Sequence, residues 1–222
     1  MQVNINRRPV REVLHFLGWR GTPVEPELLA RIDAICKEVI GCIRPYIVMK
    51  RFLLEEGGDL RGARFAPAGE DVGRMLAGCN EAILLAATLG AQSERMLLRE
   101  QARSSDGALL LDAVLSAAIE SVCDHEESRL RRELEKEGLY LTDRFSPGYG
   151  DMPIAQTKEI CAVLDTPRAI GLTVSSSGIM MPRKSVTAIM GISGAPVSRR
   201  PSPCALCSAK ERCSMRRIDE KK

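Results

Sequence analysis

Ala82 to Leu89 is apolar except for Thr88, and Asn80-Glu81 and Gly90 bound it. A run this short, closed off by breakers at both ends, suits a strand buried at the centre of a sheet, although its alanines are poor strand formers. The rest of the chain therefore has to cover it. Val10 to Gly18 reads as a short helix turning Val13, Leu14, Phe16 and Leu17 inward. In Leu28 to Ile40 the apolar positions Leu28, Leu29, Ile32, Ile35 and Val39 follow a 3.6 period, which predicts an amphipathic helix. Tyr46 to Leu54 follows Pro45 and is rich in β-branched and aromatic residues, so it reads as a strand. Asp71 to Ala77 and Ala91 to Gln101 read as helices.

Ala108 to Lys136 carries the longest helical pattern, with Leu111, Leu115, Ala118, Ile119 and Val122 as its apolar stripe. On another face Asp112, Ser116, Glu120 and Asp124 recur at a spacing of four. Such a stripe is most simply a solvated face. Its functional alternative has Glu120 or Asp124 facing a cationic ligand across a cleft. Tyr140-Leu141-Thr142 leads as a strand into a loop, and Ile154 to Leu164 reads as the helix after it. Arg168 to Val174 and Ser185 to Ile192 then read as strands that pair as a hairpin across a ten-residue loop, with Gly191 admitting a bulge or a close approach. The expected fold is α+β: a mostly antiparallel central sheet with flanking helices over residues 1–193. Residues 194–203 have a Pro/Ser/Arg linker composition, and 204–222 form a basic, Cys-rich tail.

Several function classes are poorly supported. Net charge is +3 and aromatic residues make up 4%, so neither nucleic acid nor an anionic membrane is an expected partner. No apolar run approaches the ~20 residues that span a bilayer. The first eight residues lack an apolar signal core, and the expected location is cytoplasmic. The two histidines, His15 and His125, lie in helical segments away from any G-x-S-x-G turn. Neither G-x-G-x-x-G nor G-x-x-x-x-G-K-[ST] occurs.

Arg144-Phe145-Ser146-Pro147-Gly148-Tyr149-Gly150-Asp151-Met152-Pro153 holds two prolines, two glycines and two aromatics in ten residues. Prolines fix φ and glycines admit positive φ, so this is a shaped loop between a strand and a helix N-terminus. It is either a well-made turn or a place that holds a small charged molecule. Of the eight cysteines, Cys36, Cys42, Cys79, Cys123 and Cys161 sit in apolar segments and read as small hydrophobes. Cys204-x2-Cys207-x5-Cys213 crowds the tail. Three thiolates at that spacing are able to chelate zinc or an iron–sulfur cluster with a fourth ligand from elsewhere; the alternative is an unliganded, flexible tail.

Taken in order, Arg144-x-x-Pro147-Gly148-Tyr149-x-x-x-Pro153, Leu164-Asp165, Leu172-Thr173, Ser177, Met180, Pro182 and Ser185-Val186 resemble the activation domain of vitamin B12-dependent methionine synthase. The likeness runs over roughly residues 106–193. It is weaker over Phe16-Leu17-Gly18-Trp19-Arg20-Gly21 and Leu84 to Gly90, which look like segments of stand-alone family members.

The resemblance implies an S-adenosylmethionine site. Arg144, Gly148 and Tyr149 carry over as the family's ligand loop, with Arg144 as the fork for the ligand carboxylate. Ser146 and Gly148 would offer backbone groups, with Pro147 between them. Tyr149 would pack on the ligand, Glu120 would answer its sulfonium, and Met181 and Ser185 would line the same cleft. It further implies an accessory subunit rather than a complete methyltransferase. One electron, from a donor such as flavodoxin or ferredoxin, and the methyl of S-adenosylmethionine would restore methylcobalamin on the partner. That partner is a cobalamin-dependent methionine synthase or another corrinoid protein.

Two features depart from the family. Its full-length enzymes carry an aromatic cluster just after the strand matching Ser185–Ile192, where this chain has Met190, Gly191 and Ile192. There is also no D-x-H-x-x-G cobalamin motif, so the cobalamin is expected on a separate protein. The alternative function is a redox accessory whose cysteine tail, holding iron–sulfur or zinc, delivers electrons to a corrinoid protein.

Overall fold

Both faces of the Ala82–Leu89 run are covered by helices, which explains why its apolar character does not alternate. A computed structural model describes residues 9–19 and 23–197. Its elements, in chain order, are α1 (Pro9–Phe16), α2 (Pro26–Cys42), β1 (Tyr46–Leu53), α3 (Glu70–Leu76), β2 (Glu81–Thr88), α4 (Ala91–Gln101) and α5 (Ser105–Lys136). They continue with β3 (Tyr140–Leu141), α6 (Gln156–Leu164), α7 (Thr166–Ile170), β4 (Thr173–Val174), β5 (Met180–Met181) and β6 (Ser185–Ser193).

The main sheet has the order β1-β2-β6-β3, with every neighbouring pair antiparallel. Side chains alternate across it. Ile83, Leu85 and Ala87 of β2 join Met190 and Ile192 of β6 in a core closed by α1, α2, α4 and α5. Ala82, Leu84 and Ala86, with Ile189, face a second core closed by α3, α6 and α7. The fold is α+β, a mostly antiparallel sheet flanked by helices. Among the described residues no helix is long and apolar enough to cross a membrane.

The 32-residue α5 runs across the first face, and its start is set by sequence. Ser104 is the N-cap, its hydroxyl accepting from the Gly107 amide at 3.0 Å. At 1.5 Å per residue the helix is roughly 48 Å long, enough to reach from the β5–β6 junction to β3.

Two expectations are overturned. Arg168 to Val174 is not a strand: α7 occupies Thr166–Ile170, and only Thr173–Val174 is extended. Ile170, Leu172 and Val174 alternate like a strand, but Pro167 sits in the first turn of α7 and Gly171, at φ +67°, ends it. The Thr166 hydroxyl then donates to the Leu172 carbonyl at 2.8 Å, closing that turn. The hairpin between 168–174 and 185–192 is absent too. β6 is paired with β2 along Ser185 to Ile192 on one side and with β3 on the other, so Thr173–Val174 pairs with Met180–Met181 instead. Cys204, Cys207 and Cys213, and the linker beyond Val197, lie outside the described residues.

Candidate ligand site

The 144–153 loop is held at both ends. Upstream, the Thr142 amide donates to the Gly191 carbonyl at 2.9 Å, and the Gly191 amide donates to the Thr142 hydroxyl at 2.8 Å. A Cβ at Gly191 would lie 2.5 Å from the Cys79 sulfur, so the close approach expected at this glycine is real. Phe145 and Ile189 exchange both backbone hydrogen bonds, at 2.9 and 2.8 Å. The Phe145 ring is buried in the second core. Alternation therefore sends its neighbour Arg144 toward α5.

Past Phe145 the chain turns away. Tyr149 N–H donates to the Ser146 carbonyl at 3.1 Å, and Gly148 N–H to the Met152 carbonyl at 2.9 Å. Gly148 has φ +89°, a region that L side chains rarely enter. Met152 is buried as the loop's apolar anchor. Downstream, the Asp151 carboxylate accepts from the amides of Glu70 (2.6 Å) and Asp71 (3.1 Å) at the start of α3. Gln156 bridges the Ala66 carbonyl (2.7 Å) and the Ala68 amide (2.9 Å). Tyr149 is left standing out of this frame, 62% exposed.

Because the loop diverges at Pro147, no strand among the described residues accompanies β6 from Ser185 to Ala188 on that side. The odd-numbered residues of β6 turn their backbone groups that way, as Ile189 and Gly191 show. Thr187 turns its amide and carbonyl the same way, but the residue is only 2% exposed, so this stretch of β6 is covered rather than open.

Arg144 is the electrostatic centre, with its side chain 14% exposed. Its Nη1 donates to Glu127 Oε2 at 2.7 Å, and its Nη2 to Asp124 Oδ1 at 2.7 Å and Glu120 Oε2 at 3.2 Å. Glu127 also accepts from Arg131 at 2.7 Å, and Arg131 reaches Asp143 at 3.3 Å and donates to the Leu141 carbonyl. Two guanidinium groups thus face four carboxylates. Burial opposes the Arg144 charge most strongly, yet the groups around it outweigh that and raise its pKa above the usual arginine value. Burial also pushes the Cys123 thiol beneath it up to about 12, so this sulfur is neutral near pH 7 and the carboxylates do the holding.

The polar stripe of α5 is consequently a docking face rather than a merely solvated one. Its first half takes Lys184, whose Nζ lies 2.7 Å from Asp112 Oδ1 and 2.8 Å from Ser116 Oγ. Its second half takes Arg144. Arg183, next to Lys184, pairs with Glu94 of α4 at 3.1 Å. The segments before β6 and after β3 are therefore both pinned to one helix.

Among the residues the sequence singled out, Arg144 and Glu120 meet directly. Ser146, Pro147, Gly148 and Tyr149 form the adjoining turn. Met181 is half-exposed in β5. Ser185 is buried, and its hydroxyl lies 2.6 Å from the Pro182 carbonyl and 2.8 Å from Thr88 Oγ1, which gives it a structural tie. Sequence reasoning missed Glu127, Arg131, Asp143, Asp151 and Lys184. A signal existed for one of them: Glu127 continues the α5 stripe three residues after Asp124. A separate shallow hollow lined by Met49, Ile83, Leu130 and Leu134, with Arg51, Glu133 and Glu137 at its rim, is lined by no residue of the loop.

No protein-family model matches this chain, and no curated protein matches it by sequence. A fold likeness does exist. The crystal structure of the MetH reactivation domain bound to AdoHcy superposes with a TM-score of 0.63 at 16% identity, covering 91% of this chain and 79% of that one.

Proposed function

We propose that this protein binds S-adenosylmethionine on the 144–149 loop and serves the reductive reactivation of a cobalamin carried by a separate methionine synthase. The observation that carries the reading is the fold likeness to a reactivation domain bound to AdoHcy, the demethylated form of that ligand, in a chain that has a shaped Arg-x-x-Pro-Gly-Tyr loop.

The residues present fit such a ligand. Its amino-acid end has a carboxylate, for which the planar guanidinium of Arg144 is the matching fork. Its ammonium and sulfonium are cationic, and the carboxylates of Glu120, Glu127 and Asp143 beside Arg144 and Arg131 suit them. The exposed Tyr149 ring offers a stacking face, and the positive φ of Gly148 keeps the backbone close to whatever lies on the turn.

When bound, S-adenosylmethionine supplies an activated methyl group. The chain's own part is to hold that group at a fixed place and angle, and proximity alone is able to supply several kcal/mol of rate enhancement. No proton has to be moved, so the lack of a histidine at the loop is no obstacle. A remethylation assay tests this reading: a methionine synthase lacking its own activation domain, a reductant and S-adenosylmethionine. Activity should return only when this protein is added, and no recovery would contradict the proposal.

A further inference from the structure

Arg144 already has three carboxylate partners, and both Nη2 hydrogens are taken by Asp124 and Glu120, so a carboxylate that docks end-on across Nη1 and Nη2 has to displace one of them. The three are unequal. Glu127 is 17% exposed and accepts from Arg131 through its other oxygen, so moving it would break two ion pairs and strand a buried charge. Glu120 is at the longest distance, 3.2 Å, and so is the weaker of the two holds on Nη2. Asp124 combines a close contact, 2.7 Å on Nη2, with a side chain 65% exposed. A carboxylate that is still largely hydrated loses little by turning back into water.

We propose that Asp124 is an internal competitor for the ligand carboxylate: it occupies Arg144 Nη2 while the site is empty and yields when an α-carboxylate docks. It thereby sets affinity selectively for ligands that carry that carboxylate. This rests on the reading of the loop as an S-adenosylmethionine site. The competition acts at one atom, so it has a signature that general damage to the fold does not share. Removing Asp124 helps ligands that use Arg144 and leaves ligands without a carboxylate indifferent.

The experiment is calorimetric titration of the full chain and of Asp124→Asn with two probes, S-adenosylmethionine and its decarboxylated analogue. Melting curves establish that the variant is folded, and Asp124→Ala serves as a second variant if the amide introduces a new hydrogen bond. The expected result is about fivefold tighter binding of S-adenosylmethionine by the variant, the size of one partly exposed ion pair, with the analogue unchanged. Equal or weaker binding of S-adenosylmethionine by both folded variants overturns the competitor role while leaving the site intact. Failure of wild type and both variants to bind it overturns the site itself, and the competitor role with it.

Discussion

A guanidinium as enclosed as that of Arg144 is costly to bury without carboxylate company, and α5 provides three such groups within hydrogen-bonding distance. The candidate site is therefore assembled around a cation of its own. Its floor depends equally on Gly148. A Cβ there would lie 3.0 Å from Ile154 Cδ1 and would sit at a positive φ. Gly148→Ala should destabilise the fold by about 1 kcal/mol and weaken S-adenosylmethionine binding by more than that alone, measured by denaturant melts beside a binding titration. The glycine and the arginine were legible as residue types in a rigid loop. The partners of the arginine were only half so. A spacing of four picks out Asp112, Ser116, Glu120 and Asp124, but the strongest anchor, Glu127, falls at the next step of three. Whether such a stripe meets water or a guanidinium depends on what the fold lays over it.

Between elements, the loop is tied to α3 by one exposed side chain. The Asp71 amide, then that of Glu70, hold the Asp151 carboxyl below its ordinary value of 3.8. A lowered native pKa means that the cap contributes above the unfolded carboxyl's pKa and is lost as pH falls through the lower native value. Wild type should lose melting temperature between about pH 5 and pH 2 more steeply than Asp151→Asn, and identical slopes would remove the cap from the account.

Across the sheet, Gly191 lets the α3–β2 turn close on β6. Gly191→Ala, with its Cβ directed at the Cys79 sulfur, should cost about 1–3 kcal/mol, and Cys79→Ala in the same chain should recover part of it. Additive losses would show that the two do not touch. Element types and most boundaries were legible from periodicity and breakers. The stretch from Arg168 to Val174 was not, because three alternating apolar residues fit a strand as well as a turn closed by proline and glycine.

At the scale of the molecule, one strand serves two cores. Leu84 and Leu85 are both fully buried, one in each. Leu84→Ala and Leu85→Ala should each lower stability by about 2–5 kcal/mol and move the same single unfolding transition. Two separate transitions would mean that the layers on either side of the sheet unfold independently. The central strand was visible in the chain as a run with almost no polar residue, and its burial on both faces followed. Its neighbours were not visible, because strand order is set by which apolar faces meet and not by local pattern. The arrangement matters for the site because β6 and β3 bring the 144–149 loop against α5, and no local signal places those segments together.

The most direct test of the central claim is equilibrium binding of methyl-labelled S-adenosylmethionine to wild type and to Arg144→Ala, with melting curves confirming that both are folded. Saturable binding by wild type, weakened about 30-fold or more in the variant, is the expected result, equivalent to roughly 2 kcal/mol for a charge-assisted pair. Binding of equal strength by the folded variant, or none by wild type, would contradict it.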